Sequence, residues 1–78
     1  MRHELKIAPT YFEAVCNGGK NFEIRNNHDR GFQRGDIVVL NEWVAPNGYT
    51  GNCAERRITY VTNYEQKEGF VVFGMEED

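Results

Sequence analysis

Cysteine, proline, histidine and tryptophan are scarce in this 78-residue chain: two of each of the first three and one tryptophan. Two isolated cysteines, Cys16 and Cys53, cannot form a disulfide framework. Cys16 falls on an expected helix as a small buried apolar residue, and Cys53 falls in a Gly/Asn-rich stretch as a free thiol. His28-Asp29 has the composition of a metal site or a catalytic pair. Its spacing does not put two ligands on one face, and no partner cluster accompanies it, so it reads as a polar turn. The longest apolar runs, Ile37 to Leu40 and Phe70 to Phe73, are four residues long, far short of the roughly 20 a membrane helix needs. The first residues carry no apolar h-region of a signal peptide. The expected location is therefore the cytoplasm, with no membrane partner, no metal and no cofactor. No P-loop, dinucleotide-binding fingerprint, nucleophile elbow or zinc knuckle is present, nor any internal repeat or linker.

Charge of one sign is also lacking. The net charge is −3, but Glu76, Glu77 and Asp78 supply three of the twelve acidic residues, and the other nine balance nine Lys and Arg. A neutral body argues against a nonspecific electrostatic DNA binder, while leaving room for a small basic cleft. Residues 76–78 read as a frayed acidic tail. The length fits one domain, residues 1–78, with a small core, expected to be monomeric.

What is present is a pattern of short strands. His3 to Ala8 alternates, with Leu5 and Ile7 against Glu4 and Lys6, and Pro9 ends it. Thr10 and Glu13 fit a capping box that opens a short helix with Phe12, Val15 and Cys16 on one face. Gly18 stands where a left-handed C-terminal cap belongs. Phe22 and Ile24 alternate with Asn21, Glu23 and Arg25, predicting a half-buried strand with the two apolar residues inward. Gly35-Asp36 turns into Ile37-Val38-Val39-Leu40, a strand buried on both faces and extended by Trp43. Ala45 to Asn52 reads as a loop, Arg57 to Thr62 as a strand, Asn63 to Gly69 as a polar connection, and Phe70 to Phe73 as a last buried strand. The expected class is α+β but mostly β: a small, mostly antiparallel barrel of about five strands with one short helix near the N-terminus.

The chemistry concentrates in Gly18-Gly19-Lys20-Asn21-Phe22-Glu23-Ile24-Arg25. Arg25 offers a planar fork for phosphate or a base edge, and Lys20 a mobile point charge. Glu23 can accept from a base amine or hold both cations. Gly18 and Gly19 allow backbone N–H groups to approach an anion. The plainer alternative is a helix cap followed by a surface strand with a local salt bridge. Trp43, Tyr49 and Tyr60 are candidate stacking platforms; core packing is the commoner role for Trp43 and Tyr60. Arg30, Arg34, Arg56 and Arg57 either widen a basic surface or are scattered solvated side chains. Glu42 lines the cleft or is an edge-strand carboxylate.

The G-x-K-x-x-E-x-R pattern of Gly18, Lys20, Glu23 and Arg25 resembles the signature of the ASCH domain, a relative of the PUA family of RNA-binding barrels. The following Phe32-x-x-Gly35-Asp36-Ile37-Val38-Val39-Leu40 resembles the turn and strand after that signature. His3 to Glu13 and Trp43 to Gly51 look like a short bacterial and phage subgroup. The resemblance implies a PUA-like barrel and a cleft for RNA or a nucleotide-like ligand formed by Gly18, Gly19, Lys20, Glu23, Arg25, Trp43 and Tyr49. Superfamily members that hydrolyse an acylated cytidine use a Lys and a Thr of the signature with a later Glu. Lys20 matches the lysine, but Glu23 stands in the place of the threonine, and only Glu65 or Glu68 is available for the later glutamate. A hydrolase of a modified nucleoside or RNA, with Lys20 and Glu23 as its acid–base pair, is therefore the second expectation. A protein-interaction accessory domain is the third.

Overall fold

The computed structural model describes residues 1–28 and 30–77. The elements run β1 (Arg2–Ile7), α1 (Pro9–Cys16), β2 (Phe22–Asn26), β3 (Ile37–Val44), β4 (Gly48–Thr62) and β5 (Phe70–Glu77). The helix starts earlier than the sequence pattern suggests. Pro9 occupies its first turn behind Ala8 as N-cap, with no side-chain capping bond. Proline's fixed φ suits that position, so it opens the helix and the Thr10–Glu13 capping box does not form. Asn17 caps the other end, and Gly18 follows with φ +83°, the left-handed residue expected there.

The strands form one sheet in the order β1-β3-β4-β5-β2. β1 pairs parallel with β3, and every other pair is antiparallel. The fold is a small, mostly β domain whose sheet curls into a half-barrel with one short helix. β1 and β2 are its two edges. Across the opening between them, Arg25 Nη2 donates to the Lys6 carbonyl at 2.9 Å and Arg30 Nη1 to the Glu4 carbonyl at 3.2 Å. Side chains, not a backbone ladder, thus satisfy carbonyls of the β1 edge. No helix among the described residues is long and apolar enough to cross a membrane.

The core lies on the concave face. Leu5 and Ile7 from β1, Val38 and Leu40 from β3, Ala54 and Ile58 from β4, and Val71, Phe73 and Met75 from β5 meet Val15 of α1 and Phe32. Consecutive burial of Val38, Val39 and Leu40 bears out the expectation of a strand covered on both faces. Below Phe32 lies a buried polar pair, whose His3 Nε2 donates to Asp36 Oδ2 at 2.9 Å. The Gln33 N–H and the Met1 amino group add bonds of 3.1 Å each to the same carboxylate.

Burial pushes the Asp36 carboxyl up, but the bonds from His3, the Met1 amine and the Gln33 N–H outweigh it and hold it below the usual carboxylate value. A carboxyl depressed in the folded state stabilises the fold above its unfolded pKa, and that contribution disappears as pH falls through the folded value. Urea midpoints should therefore drop between about pH 5 and pH 3, and the drop should shrink in Asp36→Asn. An equal pH dependence in parent and variant would remove Asp36 as its source.

Several positions depart from the sequence pattern. β4 begins at Gly48 rather than Arg57, so the stretch 48–52 is strand and only the link from Val44 to Gly48 turns. Tyr60 lies on the outer face, 65% exposed, and is not a core aromatic. Cys16 is exposed, not buried; Cys53 is exposed as well, and both are free thiols. Glu76 and Glu77 do not fray: they complete β5 opposite Arg57 and Arg56, and Glu76 pairs with the Arg57 guanidinium. Asp78 and Asp29 lie outside the described residues. The His28 ring rests against Gly69, where an added Cβ would stand 1.9 Å from Nε2.

Candidate ligand cleft at the β2 edge

The helix end delivers Lys20 to the start of β2. The left-handed Gly18 reverses the chain, and bonds from three backbone N–H groups fix the turn: Gly18 to the Val15 carbonyl, Gly19 to the Asn17 side-chain Oδ1, and Lys20 to the Ala14 carbonyl. The two glycines therefore serve the turn. Their N–H groups are already bonded and are not presented to an anion.

β2 is inverted relative to the apolar pattern. Glu23 is buried at 5% exposure, whereas Phe22 and Ile24 point outward at 43% and 51%. The register explains it. Glu23 lies opposite Phe73, a core residue, and Phe22 lies opposite Gly74 on the outer face. A charge on the inner face is tolerable only if it is paired, and Glu23 is paired twice. Lys20 Nζ bonds to Oε2, and Arg25 Nε donates to Oε1 at 3.1 Å. Arg25 then reaches on to the Lys6 carbonyl. Lys20, Glu23 and Arg25 thus form one continuous cluster in the mouth of the half-barrel, with Glu23 as its hub.

Two aromatic rings flank this cluster. Lys20 Nζ stands 5.4 Å from the centre of the Tyr11 ring and 5.3 Å from that of Phe22, within cation–π range. Tyr11, Lys20, Phe22, Glu23 and Ile24 line a cleft of about 380 Å³. Sequence reasoning missed both rings as site residues. The alternation with Glu23 turns Phe22 inward in the sequence pattern, and nothing in the local pattern around Tyr11 singles it out. The one available signal was the three charges at 20, 23 and 25, which make sense together only on the same face.

Trp43 and Tyr49 lie elsewhere. They face each other across the β3–β4 hairpin, with Lys6 Nζ 5.0 Å from the Trp43 ring and 5.9 Å from that of Tyr49. Lys6 links them to the cluster, because its backbone carbonyl receives Arg25. Glu42 accepts bonds from Thr50 and Asn52 on that same hairpin. Glu65 and Glu68 belong to the β4–β5 connection, which meets Asn27, just past the end of β2, through the bond to Gly69. That is the end of β2 away from Lys20, about 13 Å along the strand, so neither glutamate joins Lys20 and Glu23. Among the described residues, no group of three His, Cys, Asp or Glu is arranged to hold a metal ion.

Comparison with known proteins agrees with a phage-related domain. The chain is 44% identical over 61 residues to an uncharacterized 12.9 kDa protein in the GpA 3' region of Escherichia phage P2. The alignment covers 78% of this chain and 54% of the phage protein, so the chain spans about half the length of that relative. The family model described as "Domain of unknown function (DUF3850)" matches residues 2–75, taking in the helix, β1 to β4, all but the last two residues of β5 and the whole Lys20–Glu23–Arg25 cluster, and the chain belongs to that family.

Proposed function

We propose that this domain is an RNA- or nucleotide-binding module of the ASCH/PUA-like type, and that its ligand enters the mouth between β1 and β2. One observation carries the reading. A buried carboxylate, Glu23, holds two cations beside a cleft bordered by the exposed Tyr11 and Phe22 rings. Rings of this kind stack flat bases irrespective of sequence. Fixed cations supply the charge-assisted bonds a nucleotide offers partners for. Lys6, Trp43 and Tyr49 extend the same aromatic and cationic character along the β1 side of the opening.

The hydrolase reading is weaker on the same geometry. Glu23 is 5% exposed and accepts one bond on each oxygen, from Lys20 and from Arg25, so a substrate proton or a water would have to reach a remaining lone pair of a buried carboxylate already shared by two cations.

The test is an amide-shift titration of the labelled domain with short single-stranded RNAs and nucleosides, with each sample also assayed for product. Shifts should cluster on residues 18–25 with no product formed. Arg25→Ala should keep a folded spectrum and lose about tenfold to hundredfold in affinity, the value of one charged hydrogen bond. Undiminished binding by Arg25→Ala would refute the cleft. Turnover that vanishes in Lys20→Ala would replace the binding module with an enzyme. A folded domain with no shifts at moderate salt would favour the protein-interaction role.

A further inference from the structure

A second recess lies further along β2, where Arg25 and Asn26 follow directly on the Glu23 and Ile24 that line the first. It measures about 330 Å³ and is lined by Leu5, Arg25, Asn26, Arg30 and Phe32. Its polar lining consists of two guanidinium groups and one amide, with no carboxylate among the described residues. Arg25 uses two of its five N–H donors, on Glu23 and the Lys6 carbonyl. Arg30 uses one, on the Glu4 carbonyl. Asn26 accepts the His28 N–H with its Oδ1, which leaves its amide NH₂ to donate.

The anchoring of the two arginines sets their spacing. Glu4 and Lys6 are two residues apart on the same edge of β1, so their carbonyls stand about 6.6 Å apart. A guanidinium docked on each is held at a separation that one tetrahedral anion can bridge, accepting bonds of about 2.7–2.9 Å from either side. Long arginine side chains usually lose freedom on binding; these two have already lost much of it to the β1 edge.

We infer that Arg25 and Arg30, with the Asn26 amide, form a phosphate subsite. The inference rests on the ligand reading of the neighbouring cleft and narrows it. The ligand carries a phosphate, which lies in the Arg25/Arg30 recess while its base occupies the Tyr11/Phe22 cleft. Arg25 belongs to both halves, since it closes the Glu23 cluster on one side and faces the phosphate on the other. Arg30 belongs to the phosphate alone.

The experiment titrates the labelled 78-residue chain with inorganic phosphate, common nucleosides, their 5′-monophosphates and a short single-stranded RNA, for the parent and for Arg30→Gln. The monophosphates or the RNA should bind at least about tenfold more tightly than the nucleosides, the worth of one charged hydrogen bond. Their binding should move the Arg25 and Arg30 side-chain Nε–H signals. Arg30→Gln should erase most of that advantage while leaving nucleoside binding and the folded spectrum intact. A monophosphate advantage identifies a free nucleotide. An advantage confined to RNA identifies a strand phosphate, and the slope of log affinity against log salt should then fall by about 0.7 in Arg30→Gln. Nucleosides binding as tightly as phosphorylated ligands, with Arg30→Gln silent, would overturn the phosphate subsite and leave the base cleft standing. No response of residues 18–25 to any ligand would overturn both.

Discussion

Phe73→Ala is expected to leave much of this domain unfolded at 25 °C. Phe73 has no solvent exposure and stacks on Phe32 at 5.0 Å between ring centres, which in turn stacks on His3 at 4.7 Å. The ring therefore holds the apolar core to the buried His3–Asp36 pair. Truncating a buried phenylalanine costs about 3–5 kcal/mol, and a domain of this size has a total stability on the order of 5 kcal/mol. In urea, followed by circular dichroism, the variant should show little or no native baseline. Phe73→Leu, which removes less volume, should fold with a lowered midpoint. A well-formed native baseline for Phe73→Ala, with its midpoint near the parent's, would show that the core collapses around the cavity without cost.

Glu23→Ala should have the second-largest effect, for an electrostatic reason. It removes the one carboxylate between Lys20 and Arg25 and leaves two cations at the mouth of the barrel. Breaking a fully buried ion pair by deleting one partner costs about 3–5 kcal/mol. Here the loss should be smaller, about 2–3 kcal/mol, because the Lys20 and Arg25 side chains are 17% and 24% exposed and can rehydrate. A Glu23→Ala/Lys20→Met pair should recover part of that loss, since removing both charges leaves only Arg25 without its partner. Ligand affinity should fall together with stability, because Arg25 loses the bond that orients it. A stability change below about 0.5 kcal/mol, the size typical of surface substitutions, would mean that Glu23 is not the hub of the cluster.

The same residue marks where the sequence was legible and where it was not. The strands centred on Leu5, on Val38 to Leu40 and on Phe70 to Phe73, and the glycine that ends the helix, follow from local rules: alternation, continuous apolar runs, and the ease with which glycine takes a positive φ. Local rules misled at Pro9, which ends β1 in the pattern and opens α1 in the fold, because proline is equally suited to the residue after a strand and the first turn of a helix. They misled again at Gly48 to Arg56. The polar, glycine-rich stretch there has no strand pattern of its own, yet it is held as strand by pairing with β3.

At β2 the pattern was correct and its phase was reversed. Phe22-Glu23-Ile24-Arg25 alternates whichever face turns inward, and a one-residue shift of phase exchanges the faces completely. Hydrophobicity favours Phe22 and Ile24 inside. The tertiary structure puts Glu23 inside because Lys20, delivered by the Gly18 turn, and Arg25, two residues on, can pair with it there and extend to the β1 edge. Composition and spacing alone thus determined a small, mostly β domain with one helix and a Lys–Glu–Arg cluster. The tertiary structure decided that the sheet remains an open half-barrel, that arginines span its edges, that Tyr11 and Phe22 flank the cluster, and that Arg30 lines a recess with Arg25. Those relations link residues far apart in the chain, and no local preference encodes them.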